Sequence, residues 1–347
     1  MKYYWLKRIL LIPLTLFGIM SLNFILIQMT PGGPVEHMMM KMQGTAANAE
    51  TIGVLDSKQK LFTEQMRSQL NAQFGFDKPL HIRFFSMLKN YAIFDFGKSF
   101  YQDKTVIQLI KEKMPVSISL GVFSTLLIYL LAIPLGIKKA VRAGSKFDKT
   151  TTFLLTLGYA VPAFLLAIFF VIFFAGGHYL SWFPLRGLTS DNWAELSLIH
   201  KITDYLWHIT LPVLSISISG IAGLCFLTRN SFLDELGKMY VLTAKAKGCS
   251  ENRILWGHVF RNAMLLILAG FPAMLIGMLF TGSMLIEVIF SLDGLGLLGY
   301  EALQNRDYPI VFGTLYLFSL LGLILNILSD FIYTLVDPRI HFGGQTK

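Results

Sequence analysis

Six long apolar stretches divide the 347-residue chain, and polar segments separate them. The stretches cover residues 9–29, 117–137, 153–175, 208–228, 263–287 and 311–335. A helix needs about 20 apolar residues to cross a hydrocarbon core of about 30 Å, and each stretch reaches that length. The pattern predicts an all-α membrane protein with six transmembrane helices. Residues 229–262 stand out because they form a polar segment between two of the most apolar stretches.

The first apolar stretch has features of a signal peptide, because Lys2, Lys7 and Arg8 precede it. Its apolar part is too long for one, however, and no small-residue cleavage site follows. Residues 30–34 read TPGGP, which ends a helix at the membrane surface. We therefore expect residues 1–29 to be retained as an N-terminal segment and first span.

Residues 30–116 are expected to form a small extracytoplasmic domain inserted after the first span. Apolar residues recur every three or four positions within residues 56–76 and 81–91, which predicts two amphipathic helices. The remainder, residues 117–335, holds the other five spans, and residues 336–347 form a tail. Pro134, Pro162 and Pro212 lie within spans, where neighbouring helices can satisfy the freed carbonyls.

Composition agrees with a membrane protein, since 54% of the residues are hydrophobic and 15% are charged. The net charge of +9 is compatible with nucleic acid or anionic lipid as a partner. Its distribution favours a third explanation, in which basic residues flank spans on the cytoplasmic side. Sixteen lysines and arginines lie in residues 1–8, 138–149, 229–261 and 339–347, against three at Arg186, Lys201 and Arg306. Both termini and the segment 229–262 are predicted to face the cytoplasm.

No catalytic motif is present. Residues 97–99 read GKS, but Ala92 stands where a phosphate-binding loop requires its first glycine. Cys225 and Cys249 form no disulfide framework, and the histidines lack the spacing of a metal site. The chain is predicted to be no enzyme and to bind no metal or cofactor. If ATP drives the protein, another chain must bind it.

Few polar side chains fall within the spans. Ionisable groups in a membrane are costly and are candidates for function. The candidates for a translocation path are one acid, Glu287, and three polar amides, Asn23, Gln28 and Asn326. Each of them could equally bond to a neighbouring helix. A proton-coupled carrier would bury more acids or histidines within its spans, and a channel would carry a selectivity ring. Neither pattern is present in the sequence.

The segment 229–262 resembles the cytoplasmic "EAA" loop of ABC import permeases. Residues 243–248 read TAKAKG and residues 258–263 read HVFRNA, which is similar to the form found in the dipeptide, oligopeptide and nickel branch. Leu242 replaces the glutamate of the general motif. Further matches are TPGGP at 30–34, FGFDKPL at 74–80, FDFGKS at 94–99, IEVIF at 286–290, GLG at 294–296, RDYP at 306–309 and DPR at 337–339. Asp293 stands where a proline often precedes the GLG.

The resemblance implies a type I importer permease in the bacterial inner membrane. It implies a second permease subunit, two ATPase domains that bind ATP and Mg, and a periplasmic peptide-binding protein as partners. It assigns ATPase coupling to a short cytoplasmic helix whose small residues allow close approach and whose glycine allows a turn through positive φ. The residues concerned are Leu242, Thr243, Ala244, Lys245, Ala246, Lys247, Gly248, Arg253 and His258.

The sequence does not identify the cargo. Within the branch the chain is most similar to the first permease subunit of microcin C-type peptide importers, so oligopeptides and microcin C-like antibiotics are expected. Dipeptides and nickel complexes are handled by the same branch. Two other classes of function remain open at this point, an ion-gradient-driven secondary peptide transporter and an anchoring protein that transports nothing.

Overall fold

The computed structural model describes residues 2–29, 36, 68, 77–176, 179–280 and 284–336. Regular structure within these residues is helical, apart from one isolated antiparallel bridge between Lys98 and Thr105. The all-α prediction is therefore confirmed. Three sequence predictions fall outside the described residues. They concern the amphipathic helix at 56–76, the TPGGP sequence at 30–34 and most of the tail.

Twelve α-helices occur in the described residues. They are α1 (Lys2–Met29), α2 (Leu80–Ala92), α3 (Val106–Val141), α4 (Lys146–Ala160), α5 (Ala163–Phe170), α6 (Leu198–Leu236), α7 (Met239–Ala246), α8 (Glu251–Ile254), α9 (Phe260–Phe280), α10 (Met284–Ile289), α11 (Leu295–Asn305) and α12 (Tyr308–Val336). Two π-turns, Val171–Ala175 and Leu255–Val259, follow α5 and α8, and a short 3₁₀ turn lies at Trp193–Glu195.

Five helices are long and apolar enough to cross a membrane. They are Leu6–Met29, Val106–Val141, Leu198–Leu236, Glu251–Phe271 and Tyr308–Phe331. The predicted span at 153–175 is not one continuous helix, because α4 and the segment Ala163–Ala175 meet at a bend of 92°. Val161 has an extended backbone before Pro162, as proline requires of its predecessor. Counting the bent pair as one span gives the six that the sequence predicts.

Several helices continue well beyond the predicted spans. The helix α3 begins at Val106, eleven residues before the apolar stretch at 117, and α6 runs from Leu198 to Leu236. These extensions carry polar residues such as Lys111 and Glu112, which a hydropathy window excludes. Apolar length therefore marks the membrane-crossing part of each helix and does not locate its ends.

The chain divides into two compact units. The larger unit contains Lys113–Leu297 and Ile324–Lys347, and the smaller unit contains Lys2–Glu112 and Leu298–Leu323. In the larger unit α3 and α6 approach so closely that a methyl group on Gly136 would lie 2.6 Å from Cβ of Thr228. Glycine is required at this crossing because no side chain fits between the two helices.

Aromatic packing organises the smaller unit. The ring of Phe84 on α2 lies 5.2 Å from that of Phe24 on α1, and Tyr91 lies 5.6 Å from Tyr316. Asp307 accepts hydrogen bonds from the Ser99 hydroxyl and the Phe100 amide. The amphipathic helix predicted at residues 81–91 is confirmed as α2.

Candidate functional site: the loop between α6 and α9

The polar segment between α6 and α9 folds as a helix, a tight turn and a second helix. The turn is made at Gly248, whose φ is +77°. The Gly248 amide donates to the Lys245 carbonyl at 2.9 Å, and the Cys249 amide donates to the Ala244 carbonyl at 3.1 Å. These bonds close the end of α7 in the manner of a left-handed helix cap. A Cβ at Gly248 would meet open space, so backbone conformation alone favours glycine here.

One face of α7 rests on a buried hydrophobic cluster in the larger unit. We call this cluster the pedestal, and its central members are Ile137, Ala140, Phe232, Val241, Ile254 and Val259. Val241 is the member that α7 buries, while Tyr240 and Ala244 pack beside it. Residues of α3, α6, α8 and the second π-turn belong to the same cluster, so α7 shares one buried core with four other elements. Burying apolar area in this way stabilises the loop against the membrane helices.

A polar contact set also attaches α7 to the end of α6. Glu235 accepts hydrogen bonds from the Tyr240 hydroxyl at 2.7 Å and from the Asn262 amide at 3.5 Å, and it pairs with Lys238. Burial alone would raise the pKa of Glu235, but the bonds from Lys238 and Tyr240 hold that pKa below its ordinary value. The carboxylate is therefore charged at neutral pH and fixes both ends of the loop.

The opposite face of α7 is apolar yet exposed. Met239 is 74% exposed and Leu242 54%, and the exposed Ala246 follows one turn later on the same face. We call these three residues the outer stripe. Trp256, in the π-turn, is also 56% exposed. Exposed apolar side chains next to Lys245 and Lys247 are typical of a protein-binding surface.

The structure places the nine predicted coupling residues on one continuous loop. Eight of them are exposed, and Ala244 is half-buried against the pedestal. Reasoning from sequence missed Met239, Trp256 and the buried anchor Val241. The spacing of Met239, Leu242 and Ala246 could have revealed the outer stripe, whereas the burial of Val241 depends on residues 100 positions away.

Of the path candidates in the larger unit, Glu287 is fully buried and Asn326 is exposed on α12. The Glu287 carboxylate accepts a hydrogen bond from the Ser117 hydroxyl at 3.1 Å and from the Leu297 amide at 2.7 Å. It thus lies at the N-terminus of α11, where a negative charge is favoured. These contacts give Glu287 a structural role in joining α10, α11 and α3.

Asp293 follows this buried group and pairs with Lys113 on α3. The ion pair gives the aspartate at this position a partner on α3. Lys113 is mostly buried while Asp293 is largely exposed. The pair therefore contributes about 0–1 kcal/mol to the free energy of unfolding.

The remaining path candidates lie on α1 in the smaller unit. The Asn23 side chain is half-buried and donates back to the Ile19 carbonyl of its own helix at 2.8 Å. Gln28 lines a cavity of about 480 Å³ between α1 and α2, together with Phe24, Leu80 and Phe84. Within the described residues, no group of three or more potential metal ligands is found.

Comparisons with known proteins place these features in context. The family described as binding-protein-dependent transport system inner membrane component matches residues 132–342, which include the whole loop. The chain is 52% identical to the inner membrane ABC transporter permease protein YejB of Escherichia coli over 364 residues, covering 99% of this chain and 100% of that one. It is 50% identical to the peptidoglycan transport system permease protein YejB of Agrobacterium fabrum, covering 99% of both chains.

More distant similarity extends to other transporters. The oligopeptide transport system permease protein AppB of Bacillus subtilis is 31% identical over 343 residues, covering 99% of this chain and 100% of AppB. A solved structure of the MetNI methionine ABC transporter in inward-facing conformations aligns over 67% of this chain and 97% of its own, with 14% identity and a TM-score of 0.49.

Proposed function

This chain belongs to the family of binding-protein-dependent transport system inner membrane components, and from that premise we propose that it is the permease subunit of an ATP-driven peptide importer. Its place is the bacterial inner membrane, which it crosses several times, with both termini in the cytoplasm. It forms part of the translocation path and catalyses no covalent step.

The observation that carries the proposal is the two-faced helix α7. Its inner face is fixed to the pedestal through Val241, while its outer stripe presents Met239 and Leu242 to solvent. A helix anchored on one side and apolar on the other is suited to fit a groove on another protein. We assign that groove to a cytoplasmic ATPase, with Lys245 and Lys247 near its acidic residues.

The complete importer comprises this chain, a second homologous permease, two ATPase domains and a periplasmic binding protein. ATP and Mg bind to the ATPase domains. Closure of those domains moves α7, and the movement reaches the membrane helices through the pedestal. The cavity then alternates between outward and inward access, which is a two-state change that a ligand biases from a distance.

The cargo that we propose is oligopeptides, and microcin C-like peptide antibiotics form the narrower assignment. Support for peptides comes from AppB, which is named as an oligopeptide permease, whereas the YejB of Agrobacterium fabrum is named for peptidoglycan transport and that of Escherichia coli is named for no cargo. Selectivity resides chiefly in the binding protein, which presents the cargo to the permease.

Co-isolation with the ATPase subunits tests the proposal. Leu242→Arg places a charge in the outer stripe without touching the pedestal, and Leu242→Met keeps an apolar side chain of similar size. We expect Leu242→Arg to weaken ATPase binding at least about tenfold, as loss of an interface anchor does, while Leu242→Met retains it. Equal ATPase recovery with both variants would contradict the proposed docking surface.

A further inference from the structure

A buried ionic cluster joins three helices next to the pedestal. Asp148 near the start of α4 accepts two hydrogen bonds from Arg229 of α6, at 2.9 Å from Nε and 2.7 Å from Nη2. Lys139 of α3 lies 3.1 Å from the same carboxylate. We call Lys139, Asp148 and Arg229 the ionic joint.

Every charge in the ionic joint is satisfied. The Lys139 ammonium also donates to the Asp148 carbonyl and to the hydroxyls of Thr151 and Thr152, at 2.9, 2.9 and 2.7 Å. The Gly144 amide donates to the Asp148 carboxylate at 3.1 Å. Lys139 is completely buried, and a buried charge is tolerated only when paired and hydrogen-bonded in this way.

The carboxylate at the centre of the joint is firmly ionised. The Arg229 guanidinium, with help from the Gly144 amide and Lys139, holds the pKa of Asp148 well below its ordinary value against the effect of burial. The planar fork of arginine matches the carboxylate, so the contact fixes orientation as well as distance. The ionic joint therefore resists bending between α4 and α6.

The helix α4 packs along α6, where Gly158 approaches Ile218, and the ionic joint is its buried contact at the cytoplasmic end. Asp148 is the only buried residue of α4, and what that helix adds to the edge of the pedestal is the partly buried Leu155. The helices α3 and α6, in contrast, contribute Ile137, Ala140 and Phe232 to the pedestal directly. They also meet at Gly136, without space for a side chain between them.

We propose that Lys139, Asp148 and Arg229 are positioning residues that make α4 follow α3 and α6 when α7 is displaced by the ATPase. This inference rests on the proposed function, since it assumes that α7 is the coupling helix. Movement of α7 reaches α3 and α6 by packing, and the ionic joint passes it on to α4. The helix α4 leads to the 92° bend at Pro162, so the bent third span moves with the rest.

A joint that transmits movement predicts a different defect from a joint that only stabilises the fold. Loss of transmission leaves ATPase binding and ATP hydrolysis in place and lowers the amount of peptide moved per ATP. Loss of folding lowers the yield of the complex and reduces hydrolysis and uptake in proportion. The ratio of uptake to hydrolysis therefore separates the two.

The test uses the complete importer in proteoliposomes, with a fluorescent hexapeptide that saturates the binding protein. Asp148→Asn keeps the shape of the side chain and removes its charge. We expect ATPase co-isolation and hydrolysis within about twofold of wild type, and peptide moved per ATP reduced about tenfold, as for typical coupling between distant sites. Lys149→Gln, an exposed charge one residue away, is the matched control and is expected to behave as wild type.

Thr152→Val keeps the test decisive if Asp148→Asn does not accumulate. It removes one of the Lys139 acceptors in nearly the same volume, and peptide moved per ATP is expected to fall by about two- to threefold. An unchanged amount of peptide moved per ATP in both variants, or a proportional fall of hydrolysis and uptake, would overturn the proposal that the ionic joint transmits movement to α4. Gly248→Asp in the same assay is expected to lose ATPase association, and normal association there would contradict the proposed function instead.

Discussion

Gly294 and Gly296 allow the start of α11 to close over a buried carboxylate. A methyl group on Gly294 would overlap the carboxyl group of Glu287, and one on Gly296 would lie 2.9 Å from the Met284 amide nitrogen. Backbone and carboxylate thus occupy the space in which other residues place a side chain. This close approach explains the GLG sequence. From the sequence alone, GLG is only a match to a motif.

Gly294→Ala is expected to destabilise the protein by about 1–3 kcal/mol, because the added methyl must displace the Glu287 carboxylate from its partners. Gly299→Ala, within α11, is the matched control, since nothing lies within 4 Å of its added methyl. The control is expected to be neutral or stabilising by up to about 1 kcal/mol. Denaturant unfolding of the purified protein in detergent measures both, and equal effects would argue against the packing described.

The two faces of α7 have separate tasks, so paired substitutions on this element are informative. Val241→Ala removes volume from the pedestal and is expected to lower stability by about 0.5–2 kcal/mol. Leu242→Ala lies on the outer stripe and is expected to change stability by less than about 0.5 kcal/mol while weakening ATPase association. Thermal unfolding and ATPase recovery, measured on both variants, check this. A stability loss at Leu242 larger than at Val241 would reverse the assigned faces.

Sequence patterns predicted which elements cross the membrane, because apolar length is a local property of the chain. The break at Pro162 was harder to foresee, since a proline within a span either kinks a helix or divides it according to its neighbours. The helix extensions at 106–116 and 198–207 were missed because their polar residues resemble those of loops.

The residues proposed for coupling can be picked out from the sequence more completely than the residues that support them. Small and basic residues around Gly248 are contiguous, so their pattern is readable. The members of the ionic joint, Lys139, Asp148 and Arg229, are separated by up to 90 positions. In the sequence they are indistinguishable from other charged loop residues, because their contact depends on the fold. Their pairing, like the burial of Val241, is a property of tertiary structure.

At the scale of the whole molecule, the distribution of lysine and arginine predicts the orientation in the membrane. In a variant without Cys225 and Cys249, Lys245→Cys is expected to resist a membrane-impermeant maleimide in intact cells and to react in inverted vesicles. Asp191→Cys, in the exposed loop before α6, is expected to behave in the opposite way. Labelling of Lys245→Cys from outside would show that the coupling loop is not cytoplasmic.

The central claim is that energy from a separate ATPase enters this chain at the loop between α6 and α9. Uptake of a labelled peptide by proteoliposomes containing the whole importer tests it most directly. Wild-type uptake is expected to require ATP and the ATPase subunits. Gly248→Asp is expected to reduce uptake to background, whereas Gly187→Asp, also at a positive-φ glycine, retains it. Wild-type uptake by the Gly248→Asp importer, or uptake without ATPase subunits, would contradict the account.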